Sequence, residues 1–229
     1  MSLAADRAYE RIRSGILNGE FAPASRLKEE DLVRICGVSR TPVREALGRL
    51  AAEDYVVVTR NQGAQVKSWS EADVADLFDL RALLEGHAAS RAAQLVDPAG
   101  LRLLRDNIDE MEEVFRSGAS DARKTETFLR LNGQLHETIW KAAGSERLES
   151  LLSRLVEQAL VVRTAHQFTM DRILQSHQHH RDLVEALANG DALWAEAVMR
   201  GHIRAALVYV QQHDRQISSA NVKCIQSAV

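Results

Sequence analysis

Cysteine, proline and aromatic residues are all scarce in this chain of 229 residues. Its two cysteines, Cys36 and Cys224, cannot build a disulfide framework or a cysteine-based metal site, and such sparing use is typical of a reducing compartment. We expect no signal peptide, and the apolar runs fall far short of the roughly 20 residues that a membrane-spanning helix needs. These absences predict a soluble, cytoplasmic protein without a membrane partner.

The residues that are plentiful, Ala, Leu, Glu and Arg, favour helix. The formal net charge is −3, but residues 1–69 carry a small excess of cations and the remainder carries an excess of anions. This asymmetry is too mild to identify nucleic-acid binding by itself. The positions of the cations therefore matter more than their number.

The first part of the chain shows three helical segments followed by a β-hairpin. Apolar spacing predicts helices over residues 4–18, 29–36 and 39–53, and the second of these has Leu32 and Ile35 facing inward. The run YVVVTRNQGAQVK that follows has β-forming residues on both sides of a turn, which is typical of a hairpin. We predict that residues 1–69 form one domain.

From residue 70 onward the strand signals disappear and helical patterns recur. Turn residues interrupt these patterns at five places, which gives six helices with short connections, so neighbouring helices should run antiparallel. We predict an all-α bundle over residues 70–213. The remaining residues, 214–229, are polar without a clear period and are predicted to form a separate tail.

One stretch, GVSRTPVREAL at residues 37–47, places cations and hydroxyls at the start of a helix. The helix dipole attracts anions there, so cations at this position indicate that anions come from outside the chain. A helical wheel places three apolar residues within about 60° of Val43, and the four form a core stripe: Val43, Ala46, Leu47 and Leu50. The exposed side carries Thr41, Arg44, Glu45, Gly48 and Arg49, with Arg40 at the helix start.

A short helix, a glycine-containing turn and a second helix with exposed Arg and Thr form a helix-turn-helix. Arg side chains reach guanine edges or phosphates, and hydroxyls bind phosphate oxygens. On spacing alone, an ordinary amphipathic helix with solvated charges explains the pattern equally well. The hairpin that follows, with Arg60 and Gly63 near its tip, favours a winged helix-turn-helix. The predicted fold class is therefore mainly α, with a winged helix-turn-helix and small β-hairpin ahead of a six-helix bundle.

Residues 7–67 resemble the DNA-binding domain of the GntR family of bacterial transcription regulators, and the core GVSRTPVREAL is highly specific. The resemblance implies double-stranded operator DNA as a partner. It implies DNA binding by seven residues: Ser39, Arg40, Thr41, Arg44, Arg49, Arg60 and Gly63. Three residues depart from the family pattern. Ala24 and Asp54 stand where glycine is usual, and Glu30 stands where some members have a DNA-contacting arginine.

All eight histidines lie between residues 87 and 213. His136, His180 and His202 share helix faces with apolar residues, and Asn132 is one turn before His136. At 1.5 Å per residue, His180 and His202 lie about 13 and 16 Å from the turn between their helices, so they can meet across an antiparallel pair. His179 is expected to point outward. Two interpretations stay open: separate core histidines, or three imidazoles and an amide oxygen around Zn²⁺ or Ni²⁺.

Three further stretches, LRALLEGHAA, LNGQLHETIWKAAGSERL and HRDLVEALANGDALWAEAVMRGHI, resemble the all-helical FCD effector domain of the FadR branch of GntR regulators. Six helices rather than seven resemble the VanR-like subgroup. Metal-binding members use an Asp or Asn and three His, which implies that the ligands here are Asn132, His136, His180 and His202. An Asn in place of the commoner Asp adds no negative charge, so we expect a lower metal affinity.

The resemblance implies a homodimeric, ligand-responsive regulator, most commonly a repressor, that binds a pseudo-palindromic operator. Family effectors are often small organic acids. Arg81 and Arg163 are candidate effector-binding residues, with a structural role as the alternative for both. A metal sensor would instead respond to the ion itself, and a metal-dependent hydrolase would use the ion to activate water. No suitably placed carboxylate base emerges near the predicted ligands, so we predict no enzyme activity and no catalytic residue.

Overall fold

The structure is a computed structural model that describes residues 3–59, 63–156 and 168–226, with side chains as far as residue 212. The described residues form two compact units that divide between Ser70 and Glu71. Each unit has a hydrophobic core of its own. None of the described helices is both long and apolar enough to cross a membrane.

The described part of the N-terminal unit contains three helices and three short strands. In chain order they are α1 (Leu3–Leu17), β1 (Arg26–Leu27), α2 (Glu29–Cys36), α3 (Arg40–Ala52), β2 (Val56–Thr59) and β3 (Gly63–Val66). The strands form an antiparallel sheet in the order β1-β3-β2, with Ala64 of β3 opposite both Leu27 and Val58. The predicted helices and hairpin are confirmed. Strand β1 was not predicted, because two residues are too few to show a period.

The core of the N-terminal unit lies between the three helices and the sheet. The apolar stripe of α3 is buried as its spacing predicts, and it packs with residues of α1 such as Ile12. The prediction for α2 is half wrong: Leu32 is buried, but Ile35 is 37% exposed and Cys36 faces the core instead. The helix has only eight residues and ends where Gly37 turns left-handed, so its inward face consists of positions i and i+4.

Six helices account for the described secondary structure of the C-terminal unit, as predicted. They are α4 (Glu71–Leu95), α5 (Pro98–Arg116), α6 (Asp121–Ala142), α7 (Glu146–Val156), α8 (Met170–Ala188) and α9 (Ala192–Gln226). Side-chain oxygens of Asp97, Ser120 and Thr169 accept backbone N–H bonds and begin α5, α6 and α8. Helix α9 runs without a break through the residues predicted as a separate tail, as far as Gln226.

Helix packing in the C-terminal unit brings three helices to one region of its core. Helix α9 packs along α4 and also against α8, and α8 in turn packs against α6. Large apolar side chains such as Phe128 and Leu131 are fully buried there. The inward faces of α6, α8 and α9 therefore surround a common interior, and each of them carries one of the predicted histidines.

Candidate nucleic-acid interface and candidate metal centre

Helices α2 and α3 form a helix-turn-helix on the N-terminal unit. Gly37 ends α2 with φ of 65°, and Ser39 is the N-cap residue of α3. Pro42 occupies the first turn of α3, where its missing N–H is not needed. Because Val43 and Ala46 are fully buried against the core, the opposite side of α3 is turned to solvent.

Two arginines on this exposed side are ion-paired with carboxylates of α2. Arg44 donates through Nε to both oxygens of Glu29 at 3.0 Å, and Arg40 lies 3.4 Å from Glu30. Each guanidinium side chain is still 65% exposed. Pairs this exposed contribute little to folding stability, so both cations can approach an external anion without unfolding the helix.

A groove of about 840 Å³ runs between α2, α3 and the sheet. Its lining combines cations and carboxylates with small residues that permit close approach: Arg26, Lys28, Glu29, Glu30, Arg40, Arg44, Gly48 and Gly63 among others. Ser39 and Thr41 are exposed at the start of the same helix. The structure thus brings five of the seven predicted DNA-binding residues, Ser39, Arg40, Thr41, Arg44 and Gly63, to one side of the unit.

Gly63 begins β3 with a left-handed φ of 83°, and a Cβ there would lie 2.8 Å from the carbonyl oxygen of Leu27.

The sixth predicted residue, Arg49, is held differently. It donates to Asp6 at 2.7 Å and its guanidinium lies 3.9 Å from the centroid of the Tyr9 ring. Arg49 therefore ties α3 to α1. The seventh residue, Arg60, lies outside the described residues.

The second candidate site is a cluster of three buried histidines in the C-terminal unit. His136 of α6, His180 of α8 and His202 of α9 are each at most 5% exposed. One ligand nitrogen from each lies within 4.8 Å of the others, and the Nε2 atoms of His136 and His202 are 3.3 Å apart. The imidazoles of His180 and His202 have their centroids 4.7 Å apart. Three predicted ligands thus meet at one point.

The nitrogens of this cluster suit a divalent metal ion. Within the described residues, His180 Nε2 and His202 Nδ1 are buried without a hydrogen-bond partner. Burial, followed by the neighbouring imidazoles, lowers the pKa of His180 and of His202 well below the ordinary value. Both rings are therefore neutral at pH 7 and keep a lone pair, as a Zn²⁺ or Ni²⁺ ligand must.

A carboxylate that the sequence analysis missed supports the cluster. Glu85 of α4 is fully buried, with one oxygen 2.5 Å from His136 Nδ1 and the other accepting from Arg81 Nε at 2.8 Å. Burial alone would raise the pKa of Glu85, but Arg81 and His136 lower it to about 2. An ionised Glu85 holds the His136 proton on Nδ1 and leaves Nε2 free to bind a metal.

The other predicted ligand and the effector residues occupy different positions. Asn132 lies one turn before His136 on α6 and is half-buried, so the two share a helix face. Arg81 is buried and paired with Glu85, which places it behind His136. Arg163 lies outside the described residues. His179, expected to point outward, is half-buried with its ring centroid 5.9 Å from that of His202.

Residues 4–66 match the family described as bacterial regulatory proteins, gntR family, and residues 76–205 match the FCD domain. The chain belongs to the GntR family. It is a transcription regulator with an FCD domain, which confirms the predicted resemblance and the prediction that it is not an enzyme. The VanR-like subgroup stays a prediction.

Relatives of this GntR regulator span most of its length. It is 31% identical over 204 residues to an uncharacterized HTH-type transcriptional regulator in the unstable DNA locus of Streptomyces ambofaciens, covering 86% of this chain and 80% of that protein. It is 27% identical over 219 residues to the HTH-type transcriptional repressor GlaR of Escherichia coli, covering 93% and 98%. Among solved structures, E. coli McbR/YncC aligns with a TM-score of 0.70 over 93% of this chain and 99% of that one. At 19% identity that likeness shows the fold alone.

Proposed function

We propose that this GntR regulator is a ligand-responsive repressor that binds a pseudo-palindromic operator as a homodimer. A small organic acid would release it by binding at a divalent metal site in the C-terminal unit. The observation that carries the proposal is the cluster of His136, His180 and His202, whose buried nitrogens lie within 4.8 Å of one another. Repression is proposed because the relative GlaR is named a repressor.

The operator-binding surface of the proposal is the exposed side of α3. Arg40, Thr41 and Arg44 would enter the major groove, and Ser39 would bind a phosphate at the helix start. The tip of the hairpin, with Arg60 and Gly63, would approach the neighbouring minor groove. Arg49 was predicted to flank these contacts, and its ion pair with Asp6 favours a supporting role. A twofold dimer would read two half-sites about one helical turn of DNA apart.

The regulatory site of the proposal uses the three imidazoles and Asn132 to hold Zn²⁺ or Ni²⁺. A bound ion would offer open coordination positions to a carboxylate oxygen of the effector. Glu85 would keep His136 in the tautomer that binds the ion, and Arg81 would fix Glu85. Arg81 would therefore act through the ligand set rather than on the acid itself, whereas Arg163 remains a candidate for direct contact.

A metal sensor, in which the ion itself is the effector, is a second candidate function. It is favoured by the burial of the cluster, because an ion there would change the packing of α6, α8 and α9 without any further ligand. The hydrolase alternative has no such support. Both oxygens of Glu85, the carboxylate beside the cluster, are engaged by Arg81 and His136 and cannot serve as a base.

The deciding experiment compares DNA affinity under three conditions: chelated protein, protein with Zn²⁺ or Ni²⁺ alone, and protein with metal plus individual organic acids. DNA sequences selected in vitro by the purified protein would supply the operator. We expect metal-loaded protein to bind the operator and to lose affinity when an acid is added. A response to metal alone would favour the sensor. DNA affinity that ignores both metal and acids would contradict the proposal.

The matched variants for this experiment are His180→Ala and His177→Ala, neighbours on α8. His177 is also buried, but it lies outside the three-histidine cluster and packs against Phe115. We expect His180→Ala to lose bound metal by elemental analysis and to lose the response to acids, while His177→Ala keeps both. Undiminished metal content in His180→Ala would remove His180 from the ligand set.

A further inference from the structure

A row of polar side chains lies on the buried face of α8. Arg172, Ser176 and His180 follow one another at intervals of four residues, so they share one face of the helix. They are 4%, 0% and 1% exposed. Buried helix positions are normally apolar, and charged residues are rarely buried without a partner. This face therefore departs from ordinary core packing over three consecutive turns.

Each of these three residues has an unsatisfied polar atom. In the described part of the chain, no hydrogen-bond partner is available to Arg172 Nε, Ser176 Oγ or His180 Nε2. Buried polar groups in folded proteins are almost always hydrogen-bonded, because an unpaired one destabilises the fold. Three unpaired atoms on one face indicate that a molecule from outside the chain satisfies them.

The charge of Arg172 identifies the kind of molecule. Its guanidinium donates to the side-chain oxygen of Gln175 at 3.1 Å and to the backbone oxygen of His202 at 3.4 Å, and it lies 5.2 Å from the Phe168 ring. All three partners are neutral, and within the described residues no carboxylate lies within ion-pairing distance of it. Arg81, which is equally buried, is paired with Glu85. A buried guanidinium that lacks a carboxylate partner in the protein is suited to bind the carboxylate of a ligand.

The position of Arg172 joins it to the histidine cluster. His202, whose backbone oxygen Arg172 contacts, is a member of that cluster. The Phe128 ring stacks with the His180 imidazole at 6.2 Å and lies 6.5 Å from the Phe168 ring, so these aromatic rings form an apolar wall beside both groups. The guanidinium, the Ser176 hydroxyl and the free imidazole nitrogen therefore belong to one buried region.

We propose that Arg172, assisted by Ser176, binds a carboxylate of the effector while a second oxygen of the same molecule reaches the metal ion. The ligand class is a small organic acid that has another oxygen donor besides this carboxylate, either a hydroxyl or a second carboxylate. This inference rests on the proposed metal-dependent function and names the residues that select its ligand. Uncharged analogues of the same shape are excluded, because they would leave the guanidinium unpaired.

The test measures acid binding and metal content separately on the full-length chain. Isothermal titration of Zn²⁺-loaded protein with malate, succinate, acetate and malamide covers two-donor acids, a one-donor acid and an uncharged analogue. We expect wild-type protein to bind malate or succinate more tightly than acetate and to ignore malamide. In Arg172→Met the affinity for the acid should fall about 10- to 100-fold, the size of a charge-assisted hydrogen bond, with unchanged Zn²⁺ stoichiometry.

Three further variants separate binding from structure. Arg172→Lys keeps the charge but loses the planar fork, so it should fall between wild type and Arg172→Met. Ser176→Ala should weaken acid binding by less than Arg172→Met. Arg181→Met removes the same charge from an exposed position on α8, where Arg181 pairs with Glu112, and should leave acid binding unchanged.

Thermal unfolding without ligand distinguishes an Arg172 that binds the effector from one that only stabilises the fold. Removing an unpaired buried cation should leave the Tm of Arg172→Met equal to or above that of wild type, because no ion pair is broken. A lower Tm with unchanged acid affinity would overturn the proposal, as would failure of Zn²⁺-loaded wild type to bind any acid of the panel. If the protein takes up no metal but still binds acids in a way that depends on Arg172, the role of Arg172 in acid binding stands. The proposed metal site is then contradicted.

Discussion

Two residues of the N-terminal unit, Ala24 and Asp54, hold their backbones in the left-handed region, with φ of 60° and 67°. The resemblance to GntR regulators implies glycine at both positions, and a left-handed backbone gives the physical reason for such a preference. The two residues are not equally strained. Asp tolerates this conformation better than Ala, and the Asp54 carboxylate is ion-paired with Lys67. The strain at Ala24 has no such compensation, because a methyl group makes no polar contact.

Ala24→Gly should therefore stabilise the protein. Relief of the left-handed strain outweighs the added flexibility of the unfolded chain, and we expect the free energy of unfolding to rise by about 0.5–1 kcal/mol. Asp54→Gly should gain less, because it also loses Lys67. Urea denaturation of both variants measures the difference. Glu45→Gly, at an exposed position in the middle of α3, is the control and should lose about 0.5–1 kcal/mol. Equal losses in all three variants would contradict this explanation.

At the scale of single helices, the apolar periodicity correctly predicted which face is buried where that face depends on one helix alone. The buried stripe of α3 follows from a repeat of 3.6 residues and needs no knowledge of its partners. The buried face of α2 was predicted less accurately. Eight residues make only about two helical turns, so their spacing does not decide whether Ile35 or Cys36, which lie 100° apart on the wheel, faces the core. Strand β1 is defined only by its pairing with β3, so no local sequence pattern predicts it.

The exposed side of α3 yields the prediction for DNA binding. Arg44→Ala should weaken operator binding by about 1–3 kcal/mol per half-site and relax the preference at one base position, if Arg44 meets a base edge. Arg116→Ala is the matched control, since Arg116 is an exposed arginine of the C-terminal unit that is likewise paired with a glutamate, Glu112. Fluorescence anisotropy with operator and scrambled DNA measures both. Equal affinity of Arg44→Ala and wild type would remove Arg44 from the interface.

At the scale of the whole molecule, the sequence could predict which residues converge but not what surrounds them. His180 and His202 meet because they lie at similar distances from the short turn between their helices. That distance can be calculated from the number of residues between each histidine and the turn. Glu85 lies 51 residues from His136, and its role depends on how α4 packs against α6. Arg172 resembles an ordinary polar position of an amphipathic helix until the packing of α9 buries it. Tertiary contacts of this kind leave no local signal.

Metal binding should stabilise the C-terminal unit in particular. An ion that binds only the folded cluster, present at 100 times its dissociation constant, lowers the equilibrium population of the opened state about 100-fold. We expect hydrogen–deuterium exchange of the most protected amides of α6 and α8 to slow by this factor when Zn²⁺ is added, with little change in α1 and α3. His180→Ala should abolish the effect. Slower exchange in α1 and α3 without any change in α8 would place the ion elsewhere.

In the proposed function, the carboxylates beside Arg40 and Arg44 would affect how the regulator searches a genome. Each guanidinium forms a locally neutral pair with Glu30 or Glu29, so this part of the surface attracts the phosphate backbone of arbitrary DNA less than free arginines would. Attraction to phosphates is independent of sequence and governs how long a protein stays on wrong sites. Weaker retention there would shorten each unproductive encounter, so occupancy of the operator would depend more on base recognition than on charge.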